Sequence, residues 1–492
     1  MGAGGRAGRI MAARTALFII GSLATMVAGL VLARRLDPAS YAAMQSVTKR
    51  MIQYVAAVTV AAEIWVIRDT LESPARRLRT VAMLTAVTST VGAVSGFLLV
   101  YGITHLLLPS LLAALAGVLV GVRGIMGLVV EVHRPVRLPL IIAGGRILYA
   151  SLVVALVQVL RKGLLGGLSS FLARSLLVAA AVAYYFRPFL ARRGQGPGGG
   201  RRGLLVSRAR ATLPRVAYML TPNLDVPLVL ALTRSPILIG GFFAARLIPF
   251  TLVDVMRNTF RYLQASYRRS GWGDREVISS VRLSIALVTP VLAYAIAYPE
   301  HVICVISCRY MWATIMVRLF GIEALLLLAA IALENAYLGR LNRSAGSDRE
   351  HAARVERFYL ALLPGPLAYL ALLAAATRAS HTGFPEAWAL AVMAMSSYQL
   401  AVTSISWGAR TSVLYAIAPL ALYLALATLL ALALPLAPPS PSPRFFDELS
   451  NILPQAIAFY LATTALYLAM DREARTAVAG AARAAVRRVL RS

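Results

Sequence analysis

The chain has 492 residues, of which 59% are hydrophobic and only 14% charged, with a mean hydropathy of +0.72. A soluble protein of this length would divide into several domains with polar surfaces, so the composition assigns this one to a bilayer. Its net charge of +30 would suggest nucleic acid in a soluble chain. Here the basic residues crowd short loops beside apolar segments, so they read as topology signals and as partners for anionic lipid headgroups.

A hydrocarbon core takes roughly 20 apolar residues per helix, with every backbone hydrogen bond satisfied internally. The start, MGAGGRAGRIMAARTALFII, sets a basic region before a long apolar one, lacks a convincing small-residue cleavage site, and reads as a retained first helix. Spans are predicted at 14–33, 43–67, 80–101, 106–130, 138–159 and 164–186, forming an N-terminal lobe of residues 1–190. A basic, Gly-rich cytoplasmic linker follows at 191–211; it has neither the Lys-Ser/Thr nor the preceding strand of a phosphate-binding loop and reads as a flexible connector. Spans at 212–233, 236–260, 281–299, 312–338, 357–376 and 385–408 make a C-terminal lobe, 212–408. Two further spans, 411–436 and 452–470, occupy 409–470, separated by the Pro-rich outer loop PLAPPSPSPRFFDE at 435–448. The basic cytoplasmic tail, 471–492, suits the surface of the cytoplasmic leaflet, although simple topogenic charge explains its arginines nearly as well.

With the N-terminus in the cytoplasm, Lys and Arg in cytoplasmic connections outnumber those in outer loops by about four to one, a strong orientation signal. Both termini are then cytoplasmic in a multi-pass protein of the cell membrane. The halves also echo one another: Leu30-Val31-Leu32-Ala33 and Pro38 recur as Leu228-Val229-Leu230-Ala231 and Pro236 at an offset of 198 residues. That offset equals six spans, and an even-numbered repeat gives lobes of like orientation about an axis along the membrane normal. The expected fold is an all-α polytopic membrane protein of about fourteen transmembrane helices. Two pseudo-symmetric six-helix lobes plus two C-terminal helices would form a V-shaped carrier with a central cleft.

A charge in mid-span costs at least ~2.5–3.5 kcal/mol on insertion scales, so it usually faces a cavity or a partner. Lys49 and Arg50 lie in the second span, and the offset aligns Arg246 with Thr48. Each lobe would then hold a cation at the same level of its second helix, a pattern suited to a shared anion. A diphosphate is the natural candidate, since arginine grips phosphate in bidentate fashion. Arg146, Arg174 and Arg318 are further candidate substrate-binding residues; Arg282 is also intramembrane. The competing reading is that such side chains snorkel to an interface or pair with acids within a lobe.

Buried acids are fewer: Glu63, Asp225, Asp254, Glu323 and Glu334. Asp225 follows Pro222-Asn223-Leu224, where a disturbed helix could expose backbone, and with Glu63 it is a candidate for ion coupling. A structural hydrogen bond explains Asp225 equally well. Glu323, five residues after Arg318, is placed for an intrahelical pair at less than ideal spacing. Cys304 and Cys308, one turn apart, read as two small core residues. Five histidines form no cluster, and the sequence motifs of zinc peptidases, serine hydrolases and P-loop ATPases are absent. No enzyme, metal or cofactor is expected.

The segment Gly29-Leu30-Val31-Leu32-Ala33-Arg34-Arg35-Leu36-Asp37-Pro38-Ala39-Ser40-Tyr41 resembles the end of the first helix in polysaccharide (O-antigen type) flippases. These belong to the multidrug/oligosaccharidyl-lipid/polysaccharide exporter superfamily, where the pattern is Ala-Arg-x-Leu-Gly-Pro-x-x-Tyr-Gly; Asp37 and Ala42 replace its glycines. LDVPLVLALTRSPILIGGFF is similar to the start of the family's second lobe, with Asp225 on its aspartate and Gly240 on its glycine, while Ser235 and Phe242 replace the common Gly and Tyr. VISCRYMWATIMVRLFGIEALL with ENAYLGRLNR resembles the tenth helix and its flanks, Cys308 standing at a glycine position. The resemblance implies a fourteen-helix, two-lobe protein that flips lipid-linked oligosaccharide by alternating access, using cavity cations to hold the diphosphate. Its partners would be that substrate, membrane lipids and a coupling ion, H+ or Na+, with no nucleic acid.

A drug/cation antiporter of the same superfamily would favour acids over arginines in the cleft. A major-facilitator carrier would carry its Gly-x-x-x-Asp-Arg-x-Gly-Arg-Arg loop, which RDTLESPARRLR at 68–79 lacks. A membrane-embedded glycosyltransferase or polymerase would need a carboxylate-bearing outer loop.

Overall fold

The computed structural model describes residues 3–59, 74–134, 136–190, 212–269, 288–344, 348–379, 383–407, 425, 429, 441–470 and 475. Among them every regular element is helical. In chain order these are α1 (Ala3–Arg35), α2 (Pro38–Gln45), α3 (Pro74–Thr104), α4 (Leu107–His133), α5 (Arg137–Val153) and α6 (Gly163–Leu190). Then come α7 (Asp225–Thr233), α8 (Pro236–Arg269), α9 (Val288–Ala297), α10 (Pro299–Ser307) and α11 (Thr314–Ser344). The last four are α12 (Asp348–Leu362), α13 (Pro364–Ala379), α14 (Phe384–Trp407) and α15 (Phe445–Met470).

Eleven helices among the described residues are long and apolar enough to cross a bilayer. The other three predicted spans are those that run into undescribed residues: 43–67 is described to 59, 281–299 from 288, and 411–436 only at 425 and 429. The linker at 191–211 lies outside the described residues, as does the tail apart from Arg475.

Contacts divide the chain into two compact units. Unit 1 comprises Met1–Leu247 with Ser344–Ala391, and unit 2 comprises Ile248–Arg343 with Val392–Ser492.

In unit 1, the first turn of the chain is made by Asp37, which has extended backbone and caps α2 by accepting the Ser40 N–H at 3.0 Å, with Pro38 in the first helical position. Proline suits that place because its missing N–H would have no helical partner. Burial opposes ionisation of Asp37, but the Ser40 hydrogen bonds and neighbouring N–H groups hold its carboxyl below the ordinary value. Helices α3 and α4 pack along glycines. A Cβ at Gly117 would stand 2.1 Å from the Gly92 carbonyl oxygen, and one at Gly121 would stand 2.4 Å from the Ser89 backbone. Small residues let membrane helices approach this closely, and the Thr88 hydroxyl then bonds across the seam to the Gly121 carbonyl at 3.1 Å.

In unit 2, α10 ends at Ser307, whose extended backbone leads into the 3-10 turn Cys308–Ala313. That break brings Cys304 and Cys308 into a disulfide. This corrects the expectation of two separate core residues, which a regular helix would have kept apart. Nearby, buried His301 Nδ1 meets Glu448 Oε1 at 2.7 Å, and Glu448 Oε2 accepts the Ser442 N–H at 2.6 Å. The predicted outer loop therefore passes into α15 at Phe445, seven residues before the predicted span begins.

Candidate functional site

The second predicted span is not a uniform α-helix: α2 passes through a π-helical turn, Ser46–Met51, before the helix resumes over 52–59. Within and beside it the Ser46 and Thr48 hydroxyls bond back to the Ala42 and Met44 carbonyls at 2.7 and 3.0 Å. Such back-bonding bends helices, and π turns recur at functional sites. Arg50 sits on this turn, buried at 6% exposure.

The seventh predicted span is broken as well. Its helix over 212–220 passes through the 3-10 turn Thr221–Leu224 into α7, because Pro222 has no N–H to continue the ladder. The break turns Asn223 and Asp225 toward Arg50. Arg50 Nη1 donates to Asn223 Oδ1 at 3.0 Å, and Nη2 donates to Asp225 Oδ2 in a buried ion pair. Tyr54, one turn beyond Arg50, donates its hydroxyl to the Asn223 carbonyl at 2.6 Å. Asp225 Oδ1 accepts the Val226 N–H at 2.7 Å, and Oδ2 accepts the Tyr369 hydroxyl at 3.0 Å. Trp388 Nε1 donates to that same Tyr369 oxygen at 2.8 Å. Both oxygens of the aspartate are therefore engaged, as a carboxylate 1% exposed requires.

Aromatic rings complete the enclosure. Trp388 stacks on Phe242 with centroids 4.0 Å apart. The Arg50 guanidinium lies 5.6 Å from the Phe242 and Phe243 rings, and Arg246, 9% exposed, lies 5.3 Å from Phe242. Two arginines thus share one ring, a cation–π arrangement that strengthens where water is excluded. Arg50 Nε is buried with no acceptor among the described residues.

A second group of cations lies on α4, α5 and α6. Arg146 on α5 donates to the Ser22 hydroxyl at 2.7 Å, and Arg123 on α4 is within electrostatic range of it. Arg174 on α6, 5% exposed, lies 5.7 Å from the Tyr149 ring and 5.6 Å from Phe171. Lys49 is half-buried and stands outside the donors to Asp225. Arg318 belongs to unit 2, is 46% exposed at its side chain, and pairs with Glu300 at 3.6 Å. The suggested Arg318–Glu323 pair does not form; five residues of helix put the two side chains on different faces, and buried Glu323 accepts the Ser396 hydroxyl at 3.1 Å. Glu334 accepts from Gln399 at 3.3 Å. Glu63 and Arg282 lie outside the described residues. Among the described residues no group of His, Cys, Asp and Glu could hold a metal ion.

The sequence singles out Arg50, Asp225 and Arg246 separately. It does not single out Tyr369, Trp388 and Phe242, because single aromatics carry no signal in an apolar span. Arg123, inside the predicted span 106–130 and on α4, is a further cation absent from the sequence-based candidates.

No protein-family model matches the chain, and no curated protein matches it. Solved structures do. A multidrug-resistance MATE family transporter of the MOP superfamily in an outward-facing conformation is 12% identical, covering 83% of this chain and 96% of that one, with a TM-score of 0.55. An inward-facing MATE structure is 11% identical, covering 84% of this chain and 98% of that one, at 0.54. A MOP superfamily transporter from Pyrococcus furiosus, described by a binding pocket of reversed polarity, is 12% identical over 83% of this chain and 96% of its own, at 0.56. The chain shares the fold of these transporters.

Proposed function

We propose that the protein moves lipid-linked oligosaccharide across the cell membrane by alternating access, with Arg50 and Arg246 gripping the diphosphate and Arg146, Arg174 and Lys49 extending the positive lining. One observation carries this reading: among the described residues unit 1 buries five arginines, Arg14, Arg50, Arg174, Arg215 and Arg246, against a single buried carboxylate, Asp225, and even with Arg14 paired to half-buried Glu131 the arginines outnumber the acids. Buried cations in such excess suit an anionic headgroup, and Arg50 keeps Nε free to donate to it. Asp225 orients Arg50 while the site is empty and competes with phosphate for it. A proton or Na+ on Asp225 would change that competition and so couple an ion to the substrate. The existence of outward- and inward-facing relatives of this fold supports the alternating-access part.

A drug/cation antiporter is the second reading. It draws support from the multidrug relatives and from the buried carboxylates of unit 2, Glu323 and Glu448. The test is transfer of a fluorescent lipid-linked sugar diphosphate in proteoliposomes, with an organic cation assayed beside it. Transfer of the lipid, lost in a well-folded Lys49→Ala/Arg50→Ala/Arg246→Ala variant, is expected. Undiminished transfer by that variant would remove the cation grip, and movement of the organic cation alone would favour the antiporter.

A further inference from the structure

The kinked segment that presents Asn223 and Asp225 to Arg50 has an opposite face. Leu224, Val226 and Pro227 line a pocket of about 560 Å3 within unit 1, bounded by α3 at Val94 and Leu98 and by the Tyr54 ring. Its size lies in the ~300–1,000 Å3 range of small-molecule sites, but its chemistry differs from theirs. Val94, Leu98 and Leu224 are 52%, 60% and 45% exposed; Val94 and Leu224 lie near the middle of candidate membrane spans, and Leu98 lies one turn further along the same span as Val94. The rim therefore opens to hydrocarbon rather than to water.

The few hydroxyls in the wall are already engaged. Tyr54 donates to the Asn223 carbonyl at 2.6 Å, Thr90 to the Ala86 carbonyl at 3.0 Å, and Ser95 to the Val91 carbonyl at 2.6 Å. No charged side chain lines the pocket among the described residues. A polar ligand would lose its hydration and gain no partner, which is costly in an apolar site. Only a hydrocarbon chain fits.

Tyr54 joins this pocket to the charged cluster: its ring is in the wall, and its hydroxyl holds the carbonyl of Asn223, whose side chain accepts from Arg50. We propose that the pocket holds the hydrocarbon chain of the same anionic lipid whose headgroup the arginines grip, so that one molecule occupies both faces of the kink. This rests on the lipid-transport reading above.

The test uses the full chain in proteoliposomes and a polyisoprenyl diphosphate bearing a diazirine in its chain, with phosphatidylcholine bearing a diazirine in an acyl chain as control. Crosslinks are expected to concentrate at residues 90–103 and 220–230, to exceed those from phosphatidylcholine by about tenfold at equal mole fraction, and to fall about tenfold in Val94→Trp/Leu98→Trp. Both substituted positions are exposed, so the variant's thermal unfolding should match the parent's. Equal labelling by phosphatidylcholine, labelling confined to other helices, or labelling unchanged by the tryptophans would each overturn the chain site. Should the probe label the pocket yet not be transferred, the chain site stands and the transport reading falls. Transfer without pocket labelling would remove the chain site and leave lipid transport in place.

Discussion

The two units bury opposite kinds of charge. Among the described residues unit 1 encloses five arginines and one aspartate, whereas unit 2 encloses Glu323 and Glu448 and no arginine or lysine. The partners differ in kind too. In unit 1 the aspartate is met by a guanidinium and a tyrosine hydroxyl, Arg14 pairs with half-buried Glu131, and the other arginines lie over the rings of Phe242, Tyr149, Phe171 and Tyr359. In unit 2 Glu323 accepts from a serine, and Glu448 from a backbone N–H while meeting a histidine. Desolvated charges are costly wherever they lie. The two units are thus suited to different work: the proposed anion contact in unit 1, and carboxylate-centred structure or coupling in unit 2.

The sharpest way to break that contrast is to remove Arg50. Arg50→Met leaves Asp225 buried without its counter-charge and should cost about 3–5 kcal/mol, with transport of the lipid lost. Arg50→Met/Asp225→Leu should recover most of that stability and none of the transport. Thermal unfolding in detergent and the transfer assay, read together, separate the two effects; a double variant that transports would show that the pair is purely structural.

Glu448→Gln makes the corresponding cut in unit 2. Weakening the His301 and Ser442 contacts should lower stability by about 1–3 kcal/mol, while affinity for a polyisoprenyl diphosphate stays within about twofold of the parent. A large fall in that affinity would erase the distinction between the units.

The next effect down is expected outside both charge clusters. Asp37→Ala removes the α2 cap and should cost about 1 kcal/mol. The carboxyl of Asp37 is held below its ordinary value, so its contribution is full above the unfolded value of about 3.9 and is lost as pH falls through the lower folded value. Unfolding of the parent and of Asp37→Ala should therefore converge on acidification.

Glu323→Gln should do least. The amide oxygen can still accept from Ser396, so unfolding should move by about 0.5 kcal/mol at most, with diphosphate affinity again unchanged. Gradient-driven accumulation is the measurement that would respond if this carboxylate takes part in coupling.

The spans were legible because a bilayer leaves so little choice: twenty apolar residues flanked by arginine admit one interpretation, and eleven helices among the described residues bear it out. Asp37-Pro38 likewise announced a helix start, and Pro222-Asn223 a broken span. The meeting of Arg50 with Asp225 was not legible, since 175 residues separate them and no local rule joins charges across such a distance. Nor was the ring shared by Arg50 and Arg246, because Phe242 looks like any core residue until Trp388 stacks on it. Arg123 was legible: it lies inside the predicted span 106–130, where the same insertion cost applies as to the other mid-span cations.

The most direct measurement is equilibrium binding of a polyisoprenyl diphosphate to the reconstituted protein, comparing Arg50→Gln/Arg246→Gln with Glu323→Gln/Glu448→Gln. Charge-assisted hydrogen bonds are worth about 1.5–3 kcal/mol each. The arginine pair should therefore raise Kd at least about tenfold, while the glutamate pair leaves it within about twofold. Equal losses in both variants, or a loss only in the glutamate variant, would contradict the assignment of anion contact to unit 1.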